Sequence, residues 1–185
     1  MITLPDNIKN CINIYKTLTK KDRIIYLSTP ITTGKRFVEW YDNFGKEPYS
    51  TKEYHLSHYM NVVKKNKNEA KDYAESIYER TNNVVVNPAE FEAEFSQAEY
   101  MLLWTEFIKE FTSKIVFAPD WAYSNGCLGE FITALSNKVP RLDFLFNEIN
   151  NTYAIDALFK AKKRLIQSSL KTDLQDNLLK LLKNE

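Results

Sequence analysis

The sequence predicts an α/β fold: a single-domain, three-layer αβα arrangement around a parallel sheet, with extra N- and C-terminal helices. Three observations lead there. Short β-branched and aromatic runs recur at residues 23–28 (RIIYLS), 83–88 (NVVVNP) and 114–118 (KIVFA). Stretches of helical periodicity, each long enough to cross over a sheet, separate them. The chain has 185 residues and 44% hydrophobic content, enough for one proper core and too little for two ordinary domains.

Each element follows from local pattern. Residues 5–19 form an amphipathic helix, with Ile8, Cys11, Ile12, Ile14 and Tyr15 on or near one face. Residues 23–28 are the first strand, a continuous apolar run of the kind buried in parallel sheets. The loop 29–34 (TPITTG) follows, and Lys35-Arg36 begin a helix or an ordered turn. Residues 43–57 mix polar and aromatic side chains without a period and read as a long loop, suited to a lid. A helix over 58–81 leads to the second strand at 83–88. The next helix, 96–112, carries the stripe Tyr100, Leu103, Trp104, Phe107, Ile108 and Phe111. Strand 114–118 and helix 126–137, with Leu128, Phe131, Ile132 and Leu135 inward, complete the repeat. Residues 139–146 offer a last short strand interrupted by charges. The Leu- and Lys-rich stretch 151–183 reads as one or two amphipathic helices. Residues 1–150 thus make the α/β domain and 151–185 a helical extension. The alternation implies right-handed βαβ units and a flavodoxin- or Rossmann-like sheet.

Composition narrows function mainly by exclusion. A net charge of +1 gives no global attraction to nucleic acid or to a membrane surface, so neither is an expected partner. No run approaches ~18 apolar residues, and the opening residues show no cleavable-signal pattern. With two cysteines, Cys11 and Cys127, in no disulfide or metal spacing, reduced thiols in a cytoplasm are the simplest expectation. The gaps between the two His and two Cys are too wide for a zinc site, and no metal or other cofactor is called for.

Function-bearing chemistry gathers at the C-terminal ends of the predicted strands, where open α/β sheets bind ligands. The most informative stretch is 114–140, a strand, a polar loop and a helix with Glu130 near its start. Ser124 or Asn125 can cap that helix. The chain has four glycines, and Gly126 and Gly129 both fall in this turn while Gly34 follows the first strand. That distribution suggests backbone pressed close to something bound. The first loop, from Tyr26 and Ser28 to Arg36, offers the hydroxyls of Thr29, Thr32 and Thr33, the backbone at Gly34 and the charges of Lys35 and Arg36, as an anion site requires. Its spacing is not that of a Walker A loop. Asn87-Pro88-Ala89-Glu90 ends the second strand, and Asp120 to Glu130 follows the third. Each loop alone also reads as a polar turn with a helix cap. His55 and His58 fit a surface or lid role better than chemistry.

The strand IYLS with its Pro/Gly loop, together with the S-x-G-x-x-x-E helix start SNGCLGE, resembles the nucleoside 2-deoxyribosyltransferase superfamily. The likeness spans roughly residues 23–146. Its members cleave N-glycosidic bonds of nucleosides or nucleotides on a small flavodoxin-like fold. In the transferase branch an Asp lies six residues before the catalytic Glu. Here that position is Ser124, as in the branch that hydrolyses 2'-deoxynucleoside 5'-monophosphates, where the Ser helps bind the 5'-phosphate. Residues 31–36 (ITTGKR) are similar in order and chemistry to that branch's Ile-x-Gly-Gly-Arg-like phosphate loop, with one glycine remaining. Tyr26 falls where the family places an active-site tyrosine. The resemblance implies a nucleotide or nucleoside substrate and a homo-oligomer, with a dimer foremost, because members often share sites between subunits. The Leu-rich tail suits a dimer contact or packing on its own domain.

The resemblance further implies that Glu130 acts on C1' of the sugar, held by Tyr26 and kept ionised by the helix N-terminus. Ser124, the N–H groups near Gly126, and Arg36 would clamp the phosphate. The base would stack on Trp40, Tyr41 or Trp104. One departure bears on the chemistry. The family's aspartate about one helix upstream, general acid toward the leaving base, is missing from 96–112; Glu106 is the nearest carboxylate in register and Asp120 the alternative. Tyr100, Met101 and Trp104 occupy that region. Two readings stay open: an N-glycosidase or deoxyribosyltransferase, and a nucleotide-binding sensor that does not cut its ligand.

Overall fold

The computed structural model describes residues 4–18, 24–44 and 49–184. Residue 19 of the first expected helix, Arg23 of the first expected strand and positions 45–48 of the expected loop lie outside the described residues. The chain is α/β, with a four-stranded, all-parallel sheet formed by β1 (Ile24–Ser28), β2 (Val84–Val86), β3 (Lys114–Phe117) and β4 (Arg141–Asp143). Their spatial order is β2-β1-β3-β4. Tyr26 pairs with Val86 on one side and Ile115 on the other, and Ser28 pairs with Phe117.

All five β1 residues are buried, because helices cover both sides of the sheet. Strand parity divides the core. Ile24, Tyr26, Ile115 and Phe117 join the larger cluster with α1 (Asp6–Leu18), α5 (Gln97–Phe111) and α6 (Asn125–Ser136). Ile25, Leu27 and Val116 face the other way, onto Ile77 of α4 (Lys64–Thr81). These are the three layers. The two C-terminal helices, α7 (Asn151–Gln167) and α8 (Asp173–Lys183), send Ala154, Leu158, Leu178, Leu179 and Leu182 into the larger cluster. Most of the tail's apolar stripe is therefore used within the chain.

Element starts follow their chemistry. Ser96 and Glu99 close a reciprocal capping box on α5, and Asn150 caps α7 through the Tyr153 N–H at 2.9 Å. The segment 43–57 is not one long loop. Lys35–Phe44 is helix α2, and Lys52–His58 is helix α3, capped by Thr51. A π-helical turn, Tyr59–Val63, joins α3 to α4. Aperiodicity misled there because α3 buries only Tyr54, against Trp40 and Val62 in a small separate cluster, and leaves Leu56 exposed. Among the described residues, no helix is long and apolar enough to cross a membrane.

Candidate active site

The strand order places a topological switch point between β1 and β3: from β1 the chain moves outward to β2, then returns to the far side. At that crevice, α6 begins just after β3 and turns Glu130 back toward β1. Tyr26 and Ser28, two residues apart on β1, project to the same face. The Tyr26 hydroxyl donates to Glu130 Oε1 at 2.6 Å, and the Ser28 hydroxyl donates to Oε2 at 2.5 Å. Both carboxylate oxygens are thus fixed by one strand.

Electrostatics differ from the sequence expectation. Burial pushes the Glu130 carboxyl from its ordinary 4.5 up to about 7, against the lowering effect of the Ser28 and Tyr26 hydrogen bonds. Desolvation therefore outweighs the helix N-terminus, which was expected to keep this group ionised. The same burial, reinforced by the Glu130 charge, raises the Tyr26 phenol well above its usual value. Cys127 is pushed up to about 12, by burial first and by Glu130 second, so it is a thiol and not a reactive thiolate.

Glu130 keeps a partly open edge on a cavity of about 460 Å³. Thr29, Ile31, Thr32 and Thr33 form one side of it, and Ser124, Asn125 and Gly126 another. Trp104, Tyr100 and Met101 of α5 also line it, with Phe91 set edge-on to Trp104 at 5.3 Å between ring centroids. The threonine loop is held from behind. Asn66 Nδ2 donates to the Ile31 and Thr33 carbonyls at 2.9 and 3.2 Å, and His58 Nε2 lies 2.8 Å from the Thr32 carbonyl. Thr33 Oγ1 donates across the cavity to Ser124 Oγ at 3.1 Å. Ser124 does not cap α6 through its side chain. Thr29, which borders both this cavity and a neighbouring polar cleft, has its Oγ1 buried with no hydrogen-bond partner. Such a group is costly unless something pairs with it.

The structure thus brings together Tyr26, Ser28, Thr32, Thr33, Ser124, Asn125, Gly126 and Glu130. Other expected residues go elsewhere. Arg36 pairs with Glu69 and Asn66 in a neighbouring polar cleft of about 190 Å³, together with Gly34 and Lys35. Asn87 is buried at the end of β2, where its Oδ1 accepts from the Ala89 N–H at 3.1 Å and its Nδ2 has no hydrogen-bond partner. Asp120 opens onto that polar cleft and onto a third concavity, and does not line the Glu130 cavity. Glu106 pairs with Lys109 on α5, also outside it. Trp40 is buried in the small cluster, with its Nε1 donating to Ser57 Oγ at 3.0 Å, so of Trp40, Tyr41 and Trp104 only Trp104 borders the cavity.

The glycines separate in the same way. Gly126 lines the cavity, where a side chain would take up its space. A Cβ on Gly129 would instead come within 2.7 Å of Met101 Cε, so that glycine serves helix packing. Sequence reasoning missed Lys67, Phe91, Glu92 and Gln97, all of which line the cavity. Lys67 sits in a lysine-rich helix and Glu92 in an aperiodic loop, and neither position carries a distinguishing signal. Comparison with protein-family models, curated proteins and solved structures gives no match to this chain.

Proposed function

We propose that the protein cleaves the N-glycosidic bond of a nucleoside 5'-monophosphate in the cytoplasm, with Glu130 acting on C1' of the sugar. The observation that carries this reading is the Glu130 carboxylate, held by the hydroxyls of Tyr26 and Ser28 and opening onto a cavity lined by both polar and aromatic side chains. The base lies against Trp104 and Phe91, and the phosphate lies toward the hydroxyls of Thr33 and Ser124. Phosphate contacts position the sugar, which turns binding into rate. An oxygen of ionised Glu130 bonds to C1' as the C1'–N bond breaks. The electron pair leaves with the base, which takes a proton from water. A second water then attacks C1', loses its proton to solution and frees Glu130. The net products are free base and sugar 5-phosphate.

A second reading rests on the positions of Asp120 and Glu106. Neither lines the Glu130 cavity, so neither is placed to protonate a departing base. That favours a nucleotide sensor, which binds without cutting. Base release from a panel of nucleosides and their 5'-monophosphates, with Glu130→Gln as the blank, separates the readings. The expected result is release from monophosphates only, reduced about 10³-fold or more in the variant. Release that requires a second base indicates a deoxyribosyltransferase. Tight binding with no release indicates the sensor and overturns the catalytic role of Glu130.

A further inference from the structure

A phosphate monoester entering this cavity meets the negative charge of ionised Glu130 and needs a cation to balance its own. The expected one, Arg36, is committed to Glu69 in the adjacent cleft. Among the described residues lining the Glu130 cavity, Lys67 is the one cationic side chain. It follows Asn66 on α4, the residue that pins the Ile31 and Thr33 carbonyls, so its backbone is fixed against the threonine loop. Its Nζ lies 2.8 Å from Glu92 Oε1. The two side chains differ in setting: that of Lys67 is 32% exposed and that of Glu92 is 80% exposed. Glu92 can therefore return to water at little cost when its partner turns away, as exposed ion pairs are weak. Hydrogen bonding to Lys67 holds the Glu92 carboxyl below its usual range.

Thr29, only 9% exposed, borders both this cavity and the neighbouring polar cleft, and its buried Oγ1 has no hydrogen-bond partner. The Lys67 ammonium would supply a phosphate with a charge-assisted bond of the kind that dominates phosphate recognition.

We propose that Lys67 is the phosphate-recognising cation of the cavity and that Glu92 is its ligand-free counter-ion, displaced when a sugar 5-phosphate binds. The idea rests on the nucleotide reading for the identity of the ligand, but on binding rather than bond cleavage. Calorimetric titration with 2-deoxyribose 5-phosphate, and with 2-deoxyribose as the uncharged control, tests it. Lys67→Gln is expected to weaken sugar-phosphate binding by about 10–100-fold, the range of a lost charge-assisted hydrogen bond. Lys67→Arg is expected to retain most of it. Glu92→Gln, which removes the competitor, is expected to tighten binding by about 2–5-fold. None of the three changes binding of 2-deoxyribose. Undiminished binding in Lys67→Gln overturns the proposal, as does the absence of any sugar-phosphate binding by the unmodified protein. Should Lys67→Gln fail to fold, an unchanged or weaker affinity in Glu92→Gln overturns it. Lys67-dependent binding without base release from any nucleotide leaves this proposal standing and removes the N-glycosidase reading instead.

Discussion

Glu130 is the residue on which the proposed chemistry turns, and its setting fixes how pH acts on it. Its folded value of about 7 lies above the ordinary 4.5, so the neutral acid predominates below about pH 7 and the carboxylate above it. If the carboxylate attacks C1', kcat/KM falls tenfold per pH unit below that value and levels off above it. Ser28 lowers the value more than Tyr26 does. Ser28→Ala is therefore expected to move the inflection to higher pH, and further than Tyr26→Phe does; equal profiles in all three proteins would show that another group controls the limb. Part of this site was legible as sequence. Ser28, expected among the substrate- and phosphate-binding residues, bonds Glu130 instead, whereas the pairing of Tyr26 with Glu130 at the start of the helix after β3 was readable. The direction of the Glu130 shift was not, because desolvation depends on how Tyr26, Cys127 and Trp104 pack around it.

Elements place the polar loops, and here sequence reasoning erred where tertiary contacts decide. The first loop was expected to present Arg36 to the phosphate. Instead α2 carries Arg36 to Glu69 of α4 in the adjacent cleft, and Thr29, Ile31, Thr32 and Thr33 line the cavity. Helix α3 was invisible because most of its surface meets water and its one buried residue sets no period. Gly34 shows how tightly the loop is drawn. Its φ of +98° and a Cβ position only 2.6 Å from Pro30 Cβ exclude a side chain. Gly34→Ala is expected to cost about 1–3 kcal/mol in denaturant unfolding and to raise KM, since the loop must open to admit the methyl. Unchanged stability would mean that the loop takes up the methyl without strain.

For the molecule as a whole, the order of strands and helices was readable from alternation alone, and the β2-β1-β3-β4 sheet agrees with the doubly wound class. The role of the last two helices was not readable, because an amphipathic stripe looks the same whether it meets its own sheet or another subunit. Leu178, fully buried in the main cluster, is 48 residues beyond Glu130 in sequence yet shares its core with Tyr26. Leu178→Ala is expected to lower stability by about 2–5 kcal/mol in a single cooperative transition. Separate melting of the tail and the α/β part would show two units instead of one.

One consequence of the Glu130 clamp reaches past chemistry. The carboxylate belongs to α6, while both hydroxyls that hold it belong to a single buried strand. Withdrawal of α6 from the sheet lengthens both bonds, and each lost bond raises the affinity of Glu130 for a proton. The site is in effect a gauge of helix-to-sheet spacing, and its proton occupancy would register a ligand's pull on the start of α6 before any bond is broken.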